Sequence, residues 1–418
     1  MSKTSSSSSS RRNIRVLIVG GGIGGLTAAR ALRRIGAHVD LLEVAPQWRP
    51  LGAGIVLSAN AVAVLDALGL GPQAHATGQQ LLAGDVADVR GRSLQRLDMS
   101  RLTAEAGPML AFHRAELHGL LLEGAGDVGL RLGSSVTAID DRGDEVRVDI
   151  REGEQSGREA YDLVVGADGI HSRVRDLHFA GEAVQAAVRY AGYTCWRLVA
   201  DDLELPQTGA VEQWGRGLRV GVVSLSHRRV YAFLTQNGPA NGVDPQDDRN
   251  RRVAALFADF AGPVRPLLDR LAADPGLSLL RHDITELDRQ VWRKGRVALI
   301  GDAAHATTPN LGQGAGMAIE DALALALALR GRGADEVPEA LAAWERARAP
   351  RVAAVVDGSR RLGAIGQWEN PVATGLLEGL MRLTPSALGL RSILAVLRPG
   401  LELAREARAA DELAKLAS

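Results

Sequence analysis

The segment running from Arg15 to Leu32 constrains the fold of this chain more than any other. Arg15, Val16, Leu17, Ile18 and Val19 make a short apolar run of buried-strand type. Gly20, Gly22 and Gly25 follow in GxGxxG spacing, with Ile23 and Gly24 inside the turn. Leu26, Ala28, Ala29 and Leu32 then lay an apolar face along a helix. Gly20 permits a tight turn, Gly22 the close approach of a pyrophosphate, and Gly25 close packing of helix on strand. Phosphate charge would rest on unpaired amides at the helix N-terminus. A second strand, Val39 to Leu42, ends at Glu43, 18 residues after Gly25, where a carboxylate accepts hydrogen bonds from an adenosine ribose. Strand, glycines, helix and acid in register predict a Rossmann-like dinucleotide site.

Two further segments belong with it. VVGADGIHSRVR lies near residue 170, and VALIGDAAHATTPNLGQGAGMAIEDA near residue 310. In the second, the strand Val297–Ile300 ends at Gly301–Asp302, and a helix is predicted to begin near Gly314. Asp302 reads either as an acceptor for ligand hydroxyls or as a helix-capping loop residue. Gly312, Gln313, Gly314 and Ala315 present backbone amides at a helix N-terminus, which favours negative charge there.

A length of 418 residues, 46% of them hydrophobic, suggests two packed subdomains with ample core. Zero formal net charge gives no reason to expect nucleic acid or an anionic membrane as a partner. The single cysteine, Cys195, excludes an intramolecular disulfide and any multi-cysteine metal site, and a reducing cytoplasm is the simplest compartment. No metal site is expected. No stretch is long and apolar enough to suggest a membrane span.

The predicted organisation is α/β: a Rossmann-like domain, an inserted antiparallel-sheet domain and a helical C-terminal region. Residues 1–13, with a six-serine run, read as a disordered tail. Residues 14–184 and 291–360 form the discontinuous nucleotide domain. Within it a glycine loop (Gly52, Gly54) precedes a helix from about Ala59 to Leu68. Val136, Ile139, Val146, Val148 and Ile150 suggest hairpin strands around the turn Asp141–Arg142–Gly143. Residues 185–290 change character: VRYAGYTCWRLVA, LRVGVVSLS and RRVYAFLTQ read as successive antiparallel strands, with a helical stretch from 251 to 272. This is the expected substrate domain. Residues 361–418 are helical and alanine-rich, with breaks expected near Pro371, Pro385 and Pro399.

With its three motifs in this order, the chain resembles the single-component (class A) FAD-dependent aromatic hydroxylases of the para-hydroxybenzoate hydroxylase superfamily, over about residues 14–360. Bacterial urate hydroxylases and salicylate hydroxylase-like monooxygenases are the nearest likeness. The resemblance implies non-covalent FAD, NADH or NADPH as a transient co-substrate, and dioxygen. A flavin hydroperoxide would then hydroxylate a small aromatic or heteroaromatic molecule. Epoxidation, or oxidation of a polyketide or other natural-product scaffold, is the alternative outcome. It places Asp168 and Gly169 near FAD and the nicotinamide, and Asp302 on the ribitol chain. Gly312, Gln313, Gly314 and Ala315 would face the flavin pyrimidine edge, and Val136 joins the cofactor-binding positions. Ser172 and Arg175 match the serine and arginine of the second motif. Arg114 in HRAEL would approach FAD, or else face Glu116 or Glu123 on its own helix. Arg49 matches a position linked to flavin or nicotinamide contact, and His305 follows the GDAAH pattern as a structural residue. A monomer or homodimer is expected.

Substrate and catalytic contacts are expected from the inserted sheet: Arg197, Arg219, Tyr231 and Phe233, with Pro309 and Asn310 from the flavin side. Arg219 and Tyr231, twelve apart, look like the substrate-binding pair of urate hydroxylases. An arginine there binds an anionic ring and a tyrosine orients it. The other reading makes Arg219 a surface charge and Tyr231 a sheet-packing residue, and gives the substrate to Arg197. Those enzymes carry aspartate after the proline of TTP, where this chain has Asn310, which favours a ring other than urate. No strand–GxGxxG–helix unit exists for a second, permanent nicotinamide site. A plain NAD-dependent dehydrogenase leaves the second and third motifs unexplained. A tryptophan-type flavin halogenase needs a lysine and a WxWxIP motif, and no lysine lies between Lys3 and Lys294. An FAD-bound sensor without catalysis is the remaining competitor.

Overall fold

The computed structural model describes residues 13–48, 53–181, 186–205, 207–245 and 247–416. Arg49, Gly52 and the tail 1–12 lie outside the described residues. The strand Arg15–Val19 sits inside a six-stranded sheet, flanked by Leu163–Gly166 and His38–Glu43, both parallel to it. Gly129–Leu132 extends the sheet beyond His38–Glu43, and Val297–Leu299 pairs with Leu163–Gly166 on the other side. Such strands are covered on both faces, so their apolar runs are continuous. Val16, Leu17 and Ile18 are accordingly fully buried. All three motif strands end on one edge of this sheet, at Val19, Gly166 and Leu299, where loops of an open α/β sheet meet ligands.

The first helix, Ile23–Arg34, and the later helix Gly314–Leu329 cover the same face of the sheet and share its apolar core. The hairpin expected after residue 131 is a three-stranded sheet of Ser134–Asp141, Val146–Glu152 and Gln155–Tyr161. Gly143 takes φ +91° in its turn, where its amide donates to Asp141 Oδ1 at 2.9 Å.

The second large sheet has seven strands. Their spatial order is Leu280–Leu287, Val188–Ala200, Arg229–Asn237, Leu218–Leu225, Gly209–Trp214, Ala83–Asp88 and Ser93–Leu97. The last two come from a stretch that sequence reasoning placed in the nucleotide domain. Ala83–Asp88 pairs parallel with Gly209–Trp214, so the substrate sheet draws on chain outside 185–290. One face, carrying Trp196, Leu198, Val220, Val222, Val230, Ala232 and Leu234, packs with buried residues of the helices Arg249–Leu256 and Arg265–Ala273. By the two-residue period of a strand, Tyr193, Cys195, Arg197, Arg219, Tyr231, Phe233 and Thr235 share the opposite face.

The C-terminal region differs from expectation at two points. The helix Val337–Gly366 crosses the boundary expected at residue 360, and Ser386–Leu416 runs on through Pro399 instead of breaking there. Gly400 follows that proline and brings the helix so close to the Glu320 carboxylate that a Cβ would lie 2.2 Å from Oε1. The breaks at Pro371 and Pro385 are present. Among the described residues no single helix is long and apolar enough to cross a membrane.

Candidate active site

The glycine turn is shaped as its spacing predicts. Gly20 has φ +107°, and a Cβ there would stand 2.5 Å from the carbonyl oxygen of Ala167. A Cβ on Gly25 would fall 1.9 Å from the Gly20 carbonyl oxygen, so only glycine lets the helix start this close to its own turn. Gly22 is different, because no atom lies within 4 Å of where its side chain would begin. Its backbone is free to approach a pyrophosphate at the N-terminus of Ile23–Arg34, beside Ile23 and Gly24. Glu43 braces the turn: Oε2 accepts from the Gly21 amide at 2.9 Å and Oε1 from the Ala45 amide at 2.8 Å. Each oxygen keeps a further acceptor site for ribose hydroxyls. His118 closes the other side against the Gly21 carbonyl at 2.9 Å.

On the flavin side, Gly301 takes φ +57° and turns the chain into Asp302, the first residue of the short helix Asp302–His305. The Asp302 side chain reaches the cleft while protein crowds it elsewhere. Desolvation raises its pKa against the pull of His305 and Arg114. Arg114 begins the helix Arg114–Ala125. Its neighbour Glu116 is taken by Arg229 at 2.6 Å, and the Arg114 charge is felt instead by Asp302, Tyr231 and His282. Gly312 is left-handed at φ +62°, and side chains at Gly312 and Gly314 would begin in open space. Helix Gly314–Leu329 starts there, with Ala315 in its first turn. Open backbone at two helix N-termini, with a carboxylate at each of two strand ends, matches the pyrophosphate, the two hydroxyl-bearing chains and the ring edge of FAD. These residues fit that cofactor.

The second motif is held together by its own hydrogen bonds. The Asp168 carboxylate accepts from Ser172 Oγ at 2.6 Å and from the Arg173 and Val174 amides at 2.7 and 3.1 Å. It therefore holds the start of helix Arg173–His178. Arg175 is buried and donates to the carbonyls of Ala303 and Ile170 at 2.8 and 2.6 Å. The DGIHSR loop is a clasp that fixes the Asp302 strand end from behind. Val136 is buried in the core, and its carbonyl accepts from Arg173 Nε at 2.9 Å, so its side chain is packing.

Beneath the flavin side lies a closed ionic cluster. Asp321 Oδ2 meets His305 Nε2 at 2.6 Å, Oδ1 accepts from Arg348 Nε at 2.8 Å, and the Gly301 amide donates to Oδ2 at 3.1 Å. Burial alone would raise the Asp321 pKa, but the His305 and Arg348 charges outweigh it and hold it at about 2. Glu320 accepts from Arg348 at 2.8 Å and from Asn60 at 2.6 Å, and Asn60 also donates to Gln313 Oε1 at 2.9 Å. His305 is thus structural, as expected. Gln313 is tethered from below, which fixes the loop carrying Gly312 and Gly314.

The residues expected from the inserted sheet, Arg197, Arg219, Tyr231 and Phe233, lie on one face of it. Arg219 is 3% exposed; its Nη2 donates to Asn310 Oδ1 at 2.8 Å, Nη1 to Glu212 Oε1 at 3.1 Å and Nε to Gln367 Oε1 at 3.1 Å. The surface-charge reading of Arg219 is thereby excluded. Tyr193 adds its hydroxyl to Asn310 Oδ1 at 3.2 Å and its ring beneath the guanidinium. Asn310 and Pro309 come from the short helical turn Pro309–Leu311, next to Gly312. Tyr231 lies under Gly54, where a Cβ would strike the ring at 2.3 Å. Burial outweighs the pull of the Arg197 charge and pushes the Tyr231 pKa up to about 12. Phe233 covers Gly221, where a Cβ would meet the ring at 2.0 Å.

Sequence reasoning missed Tyr193, Glu212 and Gln367. Tyr193 was findable, since it shares the alternation that puts Arg197 on the cleft face. Gln367 carried no signal, because it ends a helix 57 residues beyond Asn310.

A family model described as "FAD binding domain" matches residues 13–359. The chain is 38% identical to the aurachin C monooxygenase/isomerase of Stigmatella aurantiaca, over 90% of this chain and 96% of that one. It is also 38% identical to the 2-heptyl-3-hydroxy-4(1H)-quinolone synthase of Pseudomonas aeruginosa, over 89% and 94%. The crystal structure of Klebsiella pneumoniae HpxO complexed with FAD and uric acid superposes with a TM-score of 0.84 at 28% identity, over 93% of this chain and 97% of that one. A cleft built for FAD, facing a sheet of polar and aromatic side chains, places this chain in the FAD binding domain family, among the FAD-dependent monooxygenases.

Proposed function

We propose that this enzyme uses NADH or NADPH and dioxygen to oxygenate a neutral, bicyclic nitrogen heteroaromatic ring of the 4-quinolone type. The closure of Arg219 carries the proposal. Glu212 cancels its charge at 3.1 Å, and Asn310 and Gln367 occupy its other nitrogens, so Arg219 itself is not a free cation for an anionic ring. Burying an anion beside an already paired arginine costs several kcal/mol, whereas a neutral ring with one carbonyl and one N–H fits a polar wall. Phe233 and the edge of Tyr231 supply the apolar floor. A relative at 38% identity, named for a 4-quinolone, supports the same class.

Bound FAD supplies electron transfer from the nicotinamide and activation of dioxygen. The chain supplies placement: Glu43, Gly22 and Asp302 hold the cofactor, and Gly312, Gln313 and Gly314 face its ring edge. Arg197, Tyr231 and the Arg219–Asn310 wall orient the substrate. Excluding water from this cleft protects the oxygen transfer from wasteful release of hydrogen peroxide.

The test is NAD(P)H oxidation and oxygen uptake by purified, FAD-loaded protein with a 2-alkyl-4-quinolone, urate and salicylate in parallel. Stimulation by the quinolone alone is expected. Stimulation only by the acids would refute the neutral-ring reading. Hydroxylated and epoxidised rings have the same mass, so the product is identified by NMR.

A further inference from the structure

Helix Pro371–Leu383 is firmly attached to the protein yet leaves one apolar row open. Asn370 caps it through the Val372 and Ala373 amides at 2.9 and 3.1 Å, and Arg382 ties its far end to buried Asp88 at 2.8 Å. On the outer side stand Trp368 (41% exposed), Val372 (69%), Leu376 (71%), Leu380 (65%) and Leu383 (83%). Positions 372, 376, 380 and 383 follow the helical period, and Trp368, in the link just before the helix, stands at the head of their stripe. The stripe begins one residue after Gln367, which touches Arg219, and its head borders a shallow groove of about 410 Å³ lined by Trp368, Glu369, Asn370, Val372, Ala373 and Leu376. Past Leu383 the chain bends by 95° into the next helix, whose Leu390, Leu397 and Leu401 are buried in the body. The exposed row is therefore not a continuation of the core.

We infer that this stripe lies in the interfacial layer of a lipid bilayer and docks the protein on the membrane surface. Scattered exposed leucines are ordinary, but five in one row are not. The row is one side chain wide. At roughly 100 Å² each, five residues offer on the order of 500 Å², below the about 800 Å² per partner of a stable protein interface. A single-row helix with a tryptophan at one end suits the boundary between headgroups and acyl chains. No single helix among the described residues is long and apolar enough to span the bilayer, and the bent pair that this helix makes with Ser386–Leu413 has Leu390, Leu397 and Leu401 buried in the body, so the attachment proposed is peripheral. Charges around the stripe are mixed, with Glu369, Glu378 and Arg382 nearby, so burial of apolar surface drives docking on a neutral bilayer. A role in collecting a lipophilic ring from the membrane rests on the proposed substrate class; the docking itself does not.

The experiment is flotation of FAD-loaded protein with phosphatidylcholine vesicles, beside a Leu376→Glu/Leu380→Glu variant. Sedimentation velocity without lipid is run on both. Equal FAD content and melting temperature establish that the variant is folded, as expected for two exposed positions. The wild type is expected to float, with the bound fraction falling at least about ten-fold in the variant. Wild type that stays with the soluble fraction overturns the proposal. So does binding that survives in the variant, or a wild-type dimer that the variant dissociates, which would assign the stripe to a second copy. Partition is read without turnover, so failure of the quinolone reading and failure of docking are separate results.

Discussion

Arg219 Nη2 and the Tyr193 hydroxyl converge on one oxygen, Asn310 Oδ1, at 2.8 and 3.2 Å. This single acceptor joins two strands of the substrate sheet to the loop that carries Gly312. The sheet carrying Arg219 and the loop carrying Gly312 are thereby mechanically linked.

Removing Arg219 should disrupt substrate placement without abolishing cofactor placement. Arg219→Ala is expected to keep its FAD and fold, lose roughly 2–4 kcal/mol in kcat/KM, and release more hydrogen peroxide per NAD(P)H oxidised. Arg219→Lys should recover part of the loss, because an ammonium cannot donate in three directions from one plane. Steady-state kinetics with peroxide detection decide it. Normal coupling in Arg219→Ala, together with collapse in Arg197→Ala, would move the substrate contact to Arg197.

Glu43 serves two purposes, and its variants separate them. Glu43→Ala is expected to weaken FAD binding by about 1–3 kcal/mol, since ribose hydroxyls and the Gly21 and Ala45 amides all lose an acceptor. Glu43→Gln keeps one carbonyl acceptor and should recover part of the affinity. Fluorescence titration of apoprotein with FAD measures both. Unchanged affinity in Glu43→Ala places the ribose contact elsewhere.

The nucleotide half was legible because its information is local. The Gly20 turn, the Gly25 contact and the strand ending at Glu43 all depend on residues within one contiguous unit. The substrate half was legible in its strands but not in its membership. Nothing in the alternation of residues 83–97 says that they will pair with a strand at 209–214. Asp168 reads from sequence as a position near the cofactor, and only folded geometry shows that its own loop also supplies three donors to it. Glu212 and Gln367 acquire meaning only once Arg219 is placed between them. Pro399 suggested a break, but tertiary packing at Gly400 overrides that local signal.

Acid should unlock the cluster under the flavin loop. Asp321 has an ordinary value of 3.8 and is held at about 2 in the folded protein. A carboxylate whose folded pKa is depressed contributes stability above its unfolded pKa and loses it as pH falls through the folded one. That contribution, on the order of 2 kcal/mol, is therefore full above about pH 5 and lost between about pH 4 and pH 2. Asp321→Asn leaves Arg348 with Glu320 but without Asp321, takes the carboxylate from His305, and should cost about 3–5 kcal/mol near neutral pH. Its stability should also vary less between pH 5 and pH 3 than that of the wild type. Chemical denaturation across this range reads both effects, and parallel acid limbs in the two proteins would remove Asp321 from the account.

Two glycines that face the substrate chamber test its floor. A Cβ at Gly221 would sit 2.0 Å from the Phe233 ring, and one at Gly54 would sit 2.3 Å from the Tyr231 ring. Phe233 is only partly buried, so in Gly221→Ala its ring can swing away into the space a substrate needs. Stability should fall by less than about 1 kcal/mol while kcat/KM for the quinolone drops at least about ten-fold. Tyr231 is 8% exposed and packed in the core, so it has nowhere to retreat. Gly54→Ala should instead cost roughly 1–3 kcal/mol of stability by overpacking, with the activity loss accompanying it. Thermal melts and kinetics on both variants distinguish the two cases. If Gly221→Ala loses stability as much as Gly54→Ala but turns over normally, Phe233 is a packing residue and the chamber floor lies elsewhere.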